Sequence, residues 1–157
     1  MKKETGKYPN TKRTIVPLQC MHCEDPACLK ACPSGATQRN EDGIVTCDKD
    51  ICVGCRACMT ACPYTARSFI ESLSGYFSEG LTPFEEAKYT KTSGVVDKCD
   101  FCSSRLREGK DPACVNACVT GARTFGAAEE LTALIDGRNG YQMRAELGTN
   151  PSVYYLP

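Results

Sequence analysis

Twelve of the thirteen cysteines in this chain fall into three blocks of four. The first is Cys20, Cys23, Cys28 and Cys32, in QCMHCEDPACLKACPSGA. The second is Cys52, Cys55, Cys58 and Cys62, in ICVGCRACMTACPYTA. The third is Cys99, Cys102, Cys114 and Cys118, in CDFCSSRLREGKDPACVNACVTG, and Cys47 stands apart. Thiolates are soft ligands, so grouped thiols point first to zinc, copper or iron–sulfur chemistry.

Block two has the spacing C-x2-C-x2-C-x3-C-P, an iron–sulfur run. Three thiolates two residues apart sit on a loop that curls around a cubane, with backbone N–H groups aimed at its sulfides. One helical turn carries the fourth cysteine away, and the Pro after it fixes φ and ends local hydrogen bonding. The fourth cysteine therefore reaches a second cluster, and a symmetric pair of blocks exchanges ligands. Block one is the same device with a longer middle gap, and it too ends in Cys-Pro. A disulfide framework fits poorly, because the chain shows no secretory signal and CxxCxxC makes poor loops. Structural zinc favours two CxxC pairs across a longer gap. Block three alone fits that zinc pattern; blocks one and two do not.

The elements that must hold these loops have little apolar mass. The 157 residues suit one compact domain or two very small ones. There is no Trp and there are only five Phe, so the core is expected to be thin. Metal–thiolate bonds would supply the missing folding free energy. Nineteen basic residues balance nineteen acidic ones, which argues against nucleic acid as a partner. No apolar run is long enough to cross a bilayer. The basic start, MKKETGKYPNTKR, lacks the apolar centre of a secretory signal. A soluble chain, cytoplasmic or exported with a partner subunit, is the expectation.

Each block ends alike: ACPSGATQR at 31–39, ACPYTARSF at 61–69 and ACVTGARTF at 117–125. This is an internal repeat of small units. After block one, NEDG lies between the short runs ATQR and IVTC, a hairpin signal. Cys20 to Cys62 thus reads as loop, short helix, hairpin, loop, short helix, strand: a small α+β unit of the two-cluster ferredoxin type. Residues 68–94 carry no ligand-type cluster and read as a long surface excursion. GVVDK reads as a strand leading into block three, and SSRLRE and AAEELTALI (127–135) as helices. The tail ELGTNPSVYYLP is expected to pack over a partner or over the cysteine-rich part. The expected division is 1–70 for the two-cluster unit, 71–94 for the excursion, and 95–157 for block three with the C-terminal helix and tail.

Other residues have competing readings. Cys47 reads as a buried strand thiol, with a substitute ligand for block three as the rival. His22 is out of phase with the cysteine spacing, which favours an outer role or none. Arg56, Arg67 and Lys30 lie near the blocks. A cubane with four thiolates carries about two negative charges when oxidised, so each cation is either an offsetting charge or a solvated one. Arg105, Arg107 and Lys110 face either a partner or water. No nucleophile–base pair, phosphate loop or dinucleotide fingerprint occurs, so no catalytic residue is assigned. The chemistry expected is one-electron transfer by bound clusters.

CMHCEDPACLKACPSGAT, DGIVTCDKDICVGCRACMTACPYTAR and DKCDFCSSRLREGKDPACVNACVTGA occur in this order, followed by ELGTNPSVYYLP. Together they resemble the iron–sulfur (beta) subunits of molybdopterin oxidoreductases, of the dimethyl-sulfoxide, polysulfide, thiosulfate and tetrathionate reductase and formate dehydrogenase type. The resemblance covers nearly all of residues 7–157. It implies two ferredoxin-like units with four cysteine blocks and four 4Fe-4S clusters, working in anaerobic respiration. This chain matches the second, third and fourth family blocks; the first is expected upstream of GKYPNTKR, so Met1 falls near the middle of the full-length pattern.

By that resemblance one cluster takes Cys20, Cys23, Cys28 and Cys62, and another takes Cys52, Cys55, Cys58 and Cys32. A third takes Cys99, Cys102 and Cys114 and needs a ligand from the missing block, while Cys118 serves a cluster this chain does not complete. Val119 also departs from the pattern, where the other blocks have Pro33 and Pro63. The favoured reading is a shortened subunit with a weak third site. Its rivals are a cubane closed locally by Cys118, a 3Fe-4S cluster on three thiolates, and a fourth ligand from a partner or water. The implied partners are a molybdopterin-bearing catalytic subunit and a quinone-linked membrane anchor. The alternatives are a free-standing ferredoxin-like carrier and a zinc-binding structural module.

Overall fold

The computed structural model describes residues 2–72, 80–83, 86 and 93–157. Within them the chain is α+β, with short helices and four two-stranded antiparallel sheets. Short strands follow from short β-prone runs cut by turns. β1 (Lys2–Thr5) and β2 (Lys12–Ile15) form a first hairpin, which was not foreseen. After the block-one loop come α1 (Ala27–Lys30) and the hairpin β3 (Thr37–Arg39) and β4 (Val45–Cys47). NEDG is its turn: Gly43 N–H donates to the Asn40 carbonyl at 3.0 Å, and Ile44 N–H donates to Asn40 Oδ1 at 2.7 Å.

The block-two loop leads into α2 (Ala57–Ala61), which packs on α1. β5 (Ser68–Ile70) pairs with β6 (Val95–Asp97), with Phe69 opposite Val96. The expected excursion therefore begins after Ile70, and most of it (73–79, 84–85 and 87–92) lies outside the described residues. α3 (Ser103–Arg107) falls on SSRLRE, and α4 (Ala113–Asn116) follows it. α5 (Ala128–Gly137) falls on the AAEELTALI stretch. Its first turn is held by Ala127 N–H donating to Glu130 Oε2 at 3.4 Å.

The sequence repeat is a repeat of backbone shape. α1, α2 and α4 each begin Ala-Cys, which places Cys28, Cys58 and Cys114 in the first turn. Each helix is too short to run on, and the fourth cysteine follows its end in one kind of turn. Gly35 N–H donates to the Cys32 carbonyl at 3.4 Å, Thr65 to Cys62 at 3.2 Å, and Gly121 to Cys118 at 3.1 Å. All three donors have positive φ: 70°, 53° and 62°. The residue before the second cysteine does too: His22 at 43°, Gly54 at 67° and Phe101 at 53°. Glycine is the easy choice there. At Gly54 it is also required by space, since a Cβ would run into the Gly94 carbonyl. For His22 and Phe101 the same turn costs of order 1–3 kcal/mol each, which their packing must offset.

The core is thin, as expected. Met21, His22, Val45, Val96 and Pro151 are its largest fully buried side chains. The tail packs on the block-one loop of its own chain. Glu24 N–H donates to the Asn150 carbonyl at 2.8 Å, Asp25 N–H to Thr149 at 3.2 Å, and Ser152 N–H to Met21 at 2.8 Å. β7 (Tyr141–Gln142) pairs with β8 (Tyr154–Tyr155), and Tyr155 OH donates to the Pro17 carbonyl at 2.8 Å.

Candidate metal centre

Two cavities are lined by thiols from both of the first two blocks. Cys20, Cys23 and Cys28 surround one of about 360 Å³, together with Cys62 from the end of block two. Cys52, Cys55 and Cys58 surround the other, of about 270 Å³, together with Cys32 from the end of block one. The crossing follows from the packing of α1 on α2. Each helix starts beside its own loop and ends beside the other, so each fourth cysteine is delivered across.

The donor set fits a cluster better than an ion. A zinc site needs four ligands within about 2.3 Å of one point. Among the described residues no three His, Cys, Asp or Glu side chains converge to hold a single ion. The thiols instead stand around voids, as several bridged irons require, and the all-sulfur set is the one that 4Fe-4S clusters take.

The thiols differ in how readily they ionise. Burial pushes Cys23 and Cys28 up. Arg67 pulls Cys28 part of the way back, by its charge and by donating from Nη2 to Sγ at 3.1 Å. Burial would raise Cys32 too, but hydrogen bonds from Thr37 and Ser34 outweigh it and bring the thiol down to about 7. Thr37 N–H donates to Cys32 Sγ at 3.4 Å, with Ser34 Oγ at 3.8 Å. Metal ligands must be deprotonated, so such donors favour the bound form. Cys47 is half-buried on β4 and lines the second cavity as a fifth thiol. Burial, reinforced by Cys52, pushes it up to about 11.

Block three is arranged differently. Cys102 Sγ accepts from Ala113 N–H at 3.5 Å, which ties the start of the block to the helix bearing Cys114. Cys118 sits in its own turn, accepting from Ala122 N–H at 3.2 Å with Thr120 Oγ1 at 3.4 Å. Cys114 is exposed, Cys99 is half-buried, and none of the four lines either cavity. Val119, at the place of Pro33 and Pro63, is fully exposed. The block docks through Phe101, whose ring stacks on His22 and meets Phe125 edge-on at 5.6 Å. Lys98 Nζ donates to the carbonyls of Val45 and Cys99.

The cations near the blocks separate clearly. Lys30 is an exposed partner of Asp25 at 2.7 Å. Arg56 is half-exposed, lies 3.7 Å over the Phe69 ring and lines the second cavity. Arg67 is buried and donates to Cys28 and to Thr37. Arg105, Arg107 and Lys110 bond locally, to Asp111, Ser103 and Glu108. One contact had no signal in the sequence: Tyr64 OH and Thr149 Oγ1 lie 2.6 Å apart, buried beside the first cavity.

With four-thiol cavities paired in this way, the protein class is that of the iron–sulfur dicluster proteins. The 4Fe-4S dicluster domain matches residues 11–76 and 75–128. The selenate reductase beta subunit of Mesobacillus selenatarsenatis is 40% identical over 99% of this chain and 59% of its own length. The iron-sulfur subunit of a putative dimethyl sulfoxide reductase of Halobacterium salinarum is 41% identical over 97% of this chain and 61% of its own. The arsenate respiratory reductase iron-sulfur subunit of Shewanella is 32% identical over 96% of this chain and 78% of its own. The chain belongs to the family of iron–sulfur (beta) subunits of molybdopterin oxidoreductases. It spans about three fifths of the length of the first two of these relatives.

Proposed function

We propose that the chain relays single electrons through two 4Fe-4S clusters, as part of the iron–sulfur subunit of a molybdopterin-type oxidoreductase. One cluster is held by Cys20, Cys23, Cys28 and Cys62, the other by Cys52, Cys55, Cys58 and Cys32. The observation that carries this reading is the exchange of fourth cysteines between the two cavities. Bound clusters supply reversible one-electron chemistry. The protein supplies ligation, burial and hydrogen bonds to sulfur, here from Arg67 and Thr37.

Residues 1–70 form the ferredoxin-like two-cluster unit, and 95–157 a partial second unit. There Cys99, Cys102, Cys114 and Cys118 make the weaker third site, holding a cubane or a 3Fe-4S cluster once a further ligand or a rearrangement completes it. The relatives are named as subunits of reductases, which supports a molybdopterin-bearing catalytic partner and a quinone-linked anchor. No helix among the described residues is long and apolar enough to cross a membrane, and in this reading the anchor provides the membrane attachment. Iron and sulfide counts on anaerobically purified protein test this. About eight irons per chain are expected from the crossed pair, and about twelve if a third cubane is built. A colourless chain holding only zinc overturns the reading.

A further inference from the structure

Arg67 lies where the two halves of the repeat meet. In the endings ACPSGATQR and ACPYTARSF it occupies the place that Thr37 occupies in the other. These equivalent residues touch: Arg67 Nη1 donates to Thr37 Oγ1 at 3.0 Å. Contact between like positions of two repeats marks the local two-fold relating them, and the two cavities lie on either side of it. Arg67 lines the first cavity and Thr37 the second. From the same point Arg67 Nη2 reaches Cys28 Sγ at 3.1 Å, while Thr37 N–H reaches Cys32 Sγ at 3.4 Å.

Arg67 is only 4% exposed. A buried cation costs several kcal/mol unless paired, yet none of the ion pairs among the described residues includes it. Burial works against its charge, but the thiols of Cys28, Cys58 and Cys47 more than offset this. Cys28 belongs to the first cavity, and Cys58 and Cys47 to the second. The compensation therefore comes from sulfur on both sides.

We propose that Arg67 is the shared counter-cation of the two centres, a single buried positive charge that favours the reduced state of both. This rests on the two-cluster reading above. An added electron makes each centre more negative, and a fixed cation nearby, poorly screened by water, stabilises that state. Neutralising it lowers both midpoint potentials together. A purely structural clasp would affect loading and stability and leave the potentials of intact clusters alone.

The test is a redox titration followed by electron paramagnetic resonance on wild type, Arg67→Gln and Arg67→Lys, each with its iron and sulfide counted. Glutamine is expected to shift the oxidised-to-reduced ratio at fixed potential at least tenfold for both centres, which is about 59 mV for one electron. Lysine, which keeps the charge without the fork, is expected to hold both midpoints within that tenfold. Unchanged midpoints in Arg67→Gln, or a fall confined to the centre containing Cys28, overturns the proposal. If Arg67→Gln loads no iron, Arg67→Lys decides: a fall beyond tenfold at either centre shows that the charge is not what matters. Failure of both variants to load assigns a structural role and also overturns it. A wild type without clusters removes the two-cluster reading itself, whereas wild-type clusters whose midpoints ignore Arg67→Gln sink this inference alone.

Discussion

His22 and Phe101 stack ring on ring, with centroids 3.8 Å apart and planes 13° from parallel. Each precedes the second cysteine of its block, and each has positive φ. Like Arg67 and Thr37, they are equivalent positions of the repeat brought into contact. Block one is thus clasped to block two through the arginine and to block three through the histidine. His22 also fastens the hairpin, since its Nδ1 accepts from Val45 N–H at 3.1 Å, and its carbonyl accepts from Ser152 Oγ at 2.7 Å. Four segments converge on one side chain that cysteine spacing alone marked as dispensable.

Replacing His22 by Phe separates its two jobs. A ring remains to stack on Phe101, but the Val45 N–H loses its acceptor while still buried. An orphaned buried donor costs about 1–3 kcal/mol. The iron-loaded variant is expected to unfold in denaturant with a loss of that size, and with faster amide exchange at Val45. A stability equal to wild type would show that the ring contact alone holds the hairpin.

The same residue sets a pH window. Burial, and then the nearby Lys98 charge, holds the His22 pKa down at about 3, below the ordinary value of about 6.5. The fold therefore favours the neutral ring. Its contribution is intact above the unfolded pKa and is lost as pH falls from about 6.5 toward 3, where the unfolded chain takes up a proton that the folded chain refuses. Unfolding free energies measured across this range are expected to fall less steeply in His22→Phe than in wild type.

The parts of the fold that were legible in advance are those written within a few residues. The NEDG turn, the strand at VVD and the helices on SSRLRE and AAEELTALI each have a local pattern. So do the cysteine blocks, because a loop around a cluster fixes its own spacing. Arg67, Arg56 and Lys30 look alike at that range. What separates them is which one the packing of two repeats encloses, and the aligned endings hinted at this only by setting Arg67 opposite Thr37. Tyr64 and Thr149 meet across 85 positions with nothing local to announce it. The β1–β2 hairpin had a usable signal in Gly6 and the Pro9-Asn10 pair between its strands. It was masked by the basic composition.

Cys62→Ser tests the crossing of ligands directly. Cys62 closes the α2 segment of block two but lines the cavity of block one. The variant is expected to lose or convert the centre bounded by Cys20, Cys23 and Cys28, leaving the block-two centre with its normal spectrum and iron. Cys32→Ser is expected to do the reverse. Mössbauer and paramagnetic resonance spectra of the two variants check this, and damage by Cys62→Ser confined to the block-two centre would refute the scheme.

Alkylation of the loaded chain separates the remaining thiols. Only the thiolate reacts. The eight cysteines around the two cavities are expected to be protected while clusters are bound. Cys47 stays free in the proposed scheme, but its thiol is pushed up to about 11. Its labelling is therefore expected to be slow at neutral pH and to climb about tenfold per pH unit below that value. Cys118 is the opposite case: hydrogen bonds from Thr120 and Ala122 hold its thiol below the ordinary range, at the surface. If the third site is empty, Cys118 labels well before Cys47; if a cluster fills it, Cys118 is protected and Cys47 labels first. Mass spectrometry of the labelled peptides thus reads the occupancy of block three without relying on total iron, and rapid labelling of Cys47 at neutral pH would show that its thiol is not held protonated by burial.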